Sequence, residues 1–256
     1  MGRERVTARL VAATAAALMG GGVSAIVLSP APAGAAVTTA AGAPARTPAG
    51  APVTANAAAG CATGKYQKAV EGYLKKLGGF GKVTVDGRQS AADCAAIKKF
   101  QKRYDIRPAA GTAGPTTNGV AKRLAGTKTS ACKAKKTGTT ICVDLTKQTV
   151  WVMRSGKVYV KPTVTRTGMK GYRTPTGTFK INKRTKKEWS DPYEVWMPYW
   201  QRFVGGVGLH QTTTYLHDGW RGSHGCVNLL QADAKQLYGI GTIGMTVKVY
   251  GRRSGT

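Results

Sequence analysis

The sequence predicts two domains, a small all-α domain followed by a mostly-β domain with one or two short helices. Three observations predict this. Apolar residues recur at i, i+3 and i+4 between residues 61 and 127. From Thr139 the apolar period changes to two. Between the two stretches lies a Lys, Thr, Ser, Gly and Ala segment, residues 128–138, that reads as an interdomain linker.

The elements follow in order. Arg3, Arg5 and Arg9 precede an apolar, Ala-rich run from Leu10 to Leu28, then Pro30, Pro32 and Ala33-Gly34-Ala35-Ala36. This is the layout of a secretory signal, residues 1–36, with a small-residue cleavage site. Left uncleaved, the same segment is a membrane anchor, although Gly20, Gly21, Gly22 and Ser24 interrupt the apolar run. Either way the remainder is expected outside the cytoplasm, secreted and associated with the cell wall. Residues 37–60 are Ala, Pro, Thr and Gly with almost no large apolar groups, and read as a disordered tether. Extended, they reach about 70 Å at about 3 Å per residue.

In the α domain, residues 61–127, the residues Tyr66, Val70, Tyr73, Leu74 and Leu77 share one helical face, ended by Gly78-Gly79. Ser90-Ala-Ala-Asp93 is a capping box opening a second helix, with Cys94, Ile97, Phe100 and Tyr104 on one face. A third helix carries Val120 and Leu124. In the β domain, residues 139–251, Ile141, Val143 and Leu145 alternate with polar residues. Val150 and Val152, then Val158 and Val160, flank a turn at Ser155-Gly156, which is a hairpin. Phe179 and Ile181 mark another strand after Pro175-Thr176-Gly177, Val247 and Val249 mark the last, and a helix is expected from Ala232 to Tyr238.

Charge narrows the partners. Lys and Arg number 39 against 11 Asp and Glu, a net +28. Removing the signal, with Arg3, Arg5, Arg9 and Glu4, leaves +26. Such a chain is drawn to polyanions. Export disfavours nucleic acid and favours anionic wall polymers; a membrane is a partner only if the signal is retained. A monomer is expected.

Five cysteines are present, Cys61, Cys94, Cys132, Cys142 and Cys226. In an oxidising compartment four pair and one thiol is left over. Three connectivities are open; Cys61–Cys94 and Cys132–Cys142 are preferred because each stays within one proposed domain.

The odd cysteine falls in the richest segment, Gly208-Leu-His210 followed by Ser223-His224-Gly225-Cys226-Val227-Asn228. It lies beside all three histidines of the chain, His210, His217 and His224. A thiolate nucleophile needs a neighbouring imidazole to take its proton, and a close pair can exchange it near neutral pH. Gly225 lets the backbone turn sharply and present amides to an oxyanion. Two plainer readings compete. A buried cysteine is often a small hydrophobe. Three His and one Cys also match a zinc site, although His224-Gly-Cys226 is tighter than the usual ligand spacing. His217, before Asp218-Gly219, reads as a loop residue. Asp218 and Asp233 are the nearest carboxylates in sequence.

These residues resemble the signature of the L,D-transpeptidase (YkuD-type) catalytic domain. Arg173-Thr-Pro175-Thr-Gly177-Thr-Phe179 resembles that family's strand-entry motif, and Met197-Pro-Tyr199-Trp200 its substrate-flanking segment. The resemblance covers residues 139–251. It implies a β-rich fold with the cysteine in a groove under a mobile loop. It also implies the chemistry: 3→3 cross-links between peptidoglycan stem peptides, made through a thioester on Cys226. His210 is the implied base, with a backbone carbonyl near Gln211 fixing its ring, and the Gly225 and Cys226 amides hold the oxyanion. Ser223 and His224 shape the cysteine's turn, and Asn228 anchors the loop to the following helix. Tyr199 and Trp200 either line the substrate groove or belong to the core. No metal or organic cofactor is required, and a carbapenem is expected to acylate Cys226.

The first domain resembles the peptidoglycan-binding-1 family, on Val85-Asp86-Gly87, Ala95-Ala96-Ile97-Lys98-Lys99-Phe100-Gln101 and Thr116-Thr117. That implies contact with glycan or stem peptide. Two further readings stay open: an L,D-carboxypeptidase of the same fold that uses water as acceptor, and a non-enzymatic wall-binding protein.

Overall fold

The computed structural model describes residues 60–212 and 216–256. The signal segment, and the tether up to residue 59, lie outside the described residues.

Three α-helices come first: α1 (Gln67–Leu77), α2 (Ala91–Arg103) and α3 (Pro115–Ala125). Each has a local cause. α1 stops at Gly78, whose φ of 66° falls in the left-handed region that glycine adopts without strain. α2 opens on the capping box: Ser90 Oγ accepts from the Asp93 amide, and the Asp93 carboxylate accepts from the Ser90 amide. α3 begins at Pro115, where the missing N–H costs nothing. Val70, Leu74, Ile97, Phe100, Val120 and Leu124 form the buried core of the three. Glu71, fully buried, is held by the amides of Asp86 and Gly87 and by Gln67 Nε2. Cys61 and Cys94 are disulfide-bonded. A Cβ on Gly111 would lie 2.4 Å from Cys61 Sγ, so only glycine fits beneath the bond.

Two sheets follow. The first has five strands in the order β3-β2-β1-β9-β4: β1 (Thr139–Asp144), β2 (Thr149–Arg154), β3 (Lys157–Val164), β4 (Gly177–Lys180) and β9 (Thr246–Tyr250). β1, β2 and β3 form an antiparallel meander that contains the β2–β3 hairpin read from the sequence, and β9 joins β1 in parallel at the centre. The second has the order β5-β6-β7-β8: β5 (Lys183–Ser190), β6 (Val195–Val204), β7 (Val207–Gln211) and β8 (Val227–Leu229). α4 (Gln231–Ile240) follows β8. The main core gathers Ile141, Val143, Val152, Phe203, Leu209, Val227, Leu229, Leu237 and Val247 from both sheets and α4.

Residues 128–138 do more than connect. Thr129–Cys132 is a 3-10 turn, and the fully buried Cys132 is disulfide-bonded to Cys142 of β1 beside Trp151. The helical core also runs on into Val164, Leu216 and Leu230 from the β-rich part. The polar contacts across this junction are buried too. Asp233 of α4, 2 % exposed, pairs with Arg103 of α2 at 2.6 Å and accepts from Thr163 Oγ1. Arg123 of α3 reaches the carbonyls of Gln148 and Thr165. Among the described residues no helix is long and apolar enough to cross a membrane.

Candidate active site

β7 and β8 are adjacent parallel strands, with Leu209 opposite Val227 and His210 opposite Asn228. Leu209 and Val227 are both fully buried in the main core. Side chains alternate along a strand, so His210 and Asn228 face the other way. Cys226, one residue before β8, joins that second face beside Gly208. Gly208 is required there: a Cβ would lie 2.7 Å from the Trp200 ring and 2.6 Å from the Gln201 carbonyl. Strand register thus sets the thiol and the imidazole on one face, with a position lacking a side chain next to the sulfur.

His210 Nδ1 lies 2.7 Å from the Gln211 carbonyl oxygen. A carbonyl only accepts, so Nδ1 carries the proton and Nε2 keeps its lone pair. Burial pushes the His210 pKa down to about 4, against that hydrogen bond. Burial pushes the Cys226 thiol up to about 11, against a hydrogen bond from the Gly208 backbone. Both shifts favour the neutral thiol and the neutral imidazole over the thiolate–imidazolium pair.

The turn before the cysteine is tied on every side. Ser223 Oγ donates to the Cys226 carbonyl at 2.6 Å and accepts from the Gly225 amide at 3.1 Å. Gly225 has φ 120° and its carbonyl accepts from Thr174 Oγ1 at 2.7 Å. Thr174 Oγ1 in turn accepts from the Gly168 amide. The Gly225 amide is therefore already committed to Ser223, which leaves the Cys226 amide of the two expected oxyanion donors.

Other expected residues fall in different places. His224 is exposed and faces two tyrosines, stacked on Tyr193 at 4.2 Å and edge-on to Tyr172 at 4.3 Å. Tyr193 ends the short 3-10 turn between β5 and β6, so His224 pins that hairpin's tip to the cysteine turn. Trp200 is 2 % exposed with its ring 5.8 Å from the His210 ring; it is floor, beneath the site. Tyr199, half-buried, packs on the main core and toward Tyr238 of α4. Gln211 contributes its backbone carbonyl. Asn228 is fully buried and its backbone pairs with Arg166, so it ties β8 down and offers no surface to a substrate. His217 Nε2 donates to the Tyr104 carbonyl at 2.5 Å, across the junction with α2. The three histidines have separate partners, and among the described residues no three His, Cys, Asp or Glu side chains cluster.

Sequence reasoning missed Arg253. Its guanidinium, in a residue 5 % exposed, donates to the carbonyls of Thr167 (2.7 Å), Gly168 (3.1 Å), Trp220 (3.0 Å) and Arg221 (2.5 Å). It thereby clamps together the two segments that flank the cysteine turn. Gly222 makes room: a Cβ there would lie 2.0 Å from Arg253 Nη1. One arginine among 39 basic residues carries no signal in sequence. Tyr172 and Tyr193, two of ten tyrosines, stand out no more in sequence.

Residues 138–249 match the model of the L,D-transpeptidase catalytic domain, YkuD. The chain is similar to the crystal structure of an L,D-transpeptidase (Yku) from Stackebrandtia nassauensis, at 53% identity over 77% of this chain and 96% of that one, with a TM-score of 0.74. It also matches an L,D-transpeptidase from Xylanimonas cellulosilytica, at 26% identity over 74% of this chain and 95% of that one, TM-score 0.45. A mutant L,D-transpeptidase from Enterococcus faecium matches at 28% identity over 44% of this chain and 50% of that one, TM-score 0.39. A comparison with curated proteins finds no match. With 53% identity over the matched 77% of its length to a solved L,D-transpeptidase whose length it spans almost entirely, the chain belongs to the YkuD L,D-transpeptidase family.

Proposed function

We propose that this protein forms 3→3 cross-links between peptidoglycan stem peptides through a thioester on Cys226. The observation that carries the reading is the register of β7 and β8, which sets the one free thiol among the described residues on the same face as His210.

The neutral pair shapes the mechanism. Cys226 Sγ attacks the carbonyl of the third stem residue as His210 Nε2 takes the thiol proton, so proton transfer accompanies carbon–sulfur bond formation. The Cys226 amide faces the developing oxyanion. On collapse, His210 returns the proton to the amine of the leaving D-alanine, and the thioester remains. The side-chain amine of a second stem attacks the thioester. His210 accepts its proton, the amide forms, and the thiol is regenerated. The Gln211 carbonyl holds the Nδ1–H tautomer through every step and stabilises the imidazolium when it forms. Water as acceptor gives an L,D-carboxypeptidase from the same acyl-enzyme, and the acceptor alone separates the two.

The reading extends to the rest of the chain. The helices before the sheets act as a peptidoglycan-binding-like module, and the basic charge holds the exported protein among anionic wall polymers. The bonds between Glu71 and the Asp86 and Gly87 amides support the module by fixing the motif on which that resemblance rests.

The test is intact-mass spectrometry of the protein mixed with a disaccharide-tetrapeptide, beside Cys226→Ala. A mass gain on the wild type alone, with dimeric muropeptide in solution, is the expected result. Tripeptide product without dimer would reassign the enzyme as a carboxypeptidase. No adduct and no product would overturn the reading.

A further inference from the structure

Beside the cysteine turn, behind the 168–174 loop, lies a cleft of about 900 Å³ lined by Thr146, Lys170, Gly171, Arg173 and Arg252, among others. It adjoins a cavity of about 320 Å³ that shares Arg173, Arg252 and Arg253 and reaches Gly168 and Thr174. Neither lining includes an aspartate or glutamate. Lys170, Arg173 and Arg252 are exposed, and none is in an ion pair among the described residues. The Arg253 Nε is buried without a hydrogen-bond partner. Arg252 already directs two donors at one oxygen, that of Thr256, at 2.8 and 2.6 Å. That edge is taken by Thr256 here; released from it, the guanidinium can meet a carboxylate with two parallel bonds.

The wall between cleft and cysteine is one loop thick. Thr174, at the back of the cavity, donates to the Gly225 carbonyl. The Arg173 carbonyl comes within 4.0 Å of where a Gly225 Cβ would stand. The Arg173–Thr174 backbone is therefore a wall common to the cleft and the cysteine turn.

We propose that this cleft binds a free carboxylate of the stem peptide, so that the enzyme favours carboxylate-bearing stems over their amides; the inference rests on the stem-peptide reading above. Charge alone would also attract a phosphate polymer. The stem is the better occupant because the cleft shares its wall with the cysteine turn.

The experiment is equilibrium binding of two disaccharide-tetrapeptides, free-acid and amidated, to full-length Cys226→Ala. Charge-assisted hydrogen bonds are about twice as strong as neutral ones, so the free acid should bind roughly tenfold more tightly. Adding Lys170→Ala with Arg173→Ala should bring that ratio to near one. Lys170→Gln with Arg252→Gln, which spares the 168–174 backbone at Arg173, should do the same. Lys157→Ala with Lys235→Ala removes as much charge from positions outside the cleft and should leave the ratio standing. Equal binding of the two peptides would overturn the proposal, as would a ratio that survives both cleft variants or collapses in the control. Tight binding of poly(glycerol phosphate), lost in the cleft variants while the two stems bind alike, would overturn it in favour of a phosphate polymer. If the wild type also forms an acyl-enzyme with both peptides at equal rates, only this proposal falls. If neither peptide binds and no acyl-enzyme forms, the stem-peptide reading falls with it.

Discussion

Replacing Arg253 with alanine tests how the cysteine turn is held. The side chain supplies four hydrogen bonds of 3.1 Å or less, two to the 167–168 segment and two to 220–221. A bond from a charged donor contributes roughly 1.5–3 kcal/mol net. Four such bonds cannot simply be summed, because water enters the space left by a long side chain and satisfies some of the freed carbonyls. A loss of about 3–4 kcal/mol follows, toward the upper end for a single substitution. In a chain of this size that lowers Tm by roughly 6–16 °C. The kinetic effect is separable. Freed of the clamp, the 219–226 segment shifts relative to His210, and a misplacement near 1 Å costs about 10²-fold in rate. The assay is the rate of Cys226 acylation by a carbapenem, followed by intact mass well below Tm, beside urea unfolding. Arg253→Lys, with three donors on a shorter reach, should recover part of both. An Arg253→Ala protein that unfolds within 1 kcal/mol of wild type and acylates at the wild-type rate would refute the clamp.

Five further outcomes are expected. His210→Ala should slow acylation by roughly 10²-fold, while Cys226→Ala should abolish the adduct; single-turnover mass spectrometry checks both. Because the His210 pKa is lowered to about 4, the unfolded chain binds more protons than the native one between about pH 6.5 and 4. Stability is therefore lost as pH falls through that window, on the order of 2–3 kcal/mol from this group, and His210→Gln should flatten the slope in pH-dependent urea titrations. Acylation should hold its rate down to about pH 5 and then fall as His210 protonates. Asp233→Ala removes the partner of Arg103 and Thr163 at a buried site and should cost about 2–4 kcal/mol, with faster proteolysis between α3 and β1. Cys61→Ser with Cys94→Ser opens a 33-residue separation and should cost about 4 kcal/mol, measured by chemical denaturation.

What the sequence reveals depends on whether a segment's local pattern matches its environment. The Ser90 capping box, the Ser155-Gly156 hairpin and the strands at Ile141 and Val247 were legible because local pattern and burial agree. The second sheet was not. β5, Lys-Arg-Thr-Lys-Lys-Glu-Trp-Ser, buries only its last residue and carries no apolar alternation, and β8 is three residues long. Residues 128–138 read as a linker because their composition hides the burial of Cys132. At the site, Cys226 and His210 stood out through the spacing of a motif. The commitment of the Gly225 amide did not, since sequence cannot tell which acceptor a hydroxyl turns toward. Nor could it show that burial would shift His210 down and Cys226 up, which depends on what packs around them.

The position of β9 has a consequence for how the site is assembled. This strand lies inside the first sheet, between β1 and β4, and Arg253 follows it by three residues. Cys226 and His210 are both brought in by the other sheet. The sheet that holds the thiol and the imidazole and the strand that delivers its clamp are thus separate, and loosening β9 at its edge with β4 would slacken the cysteine turn without touching either side chain.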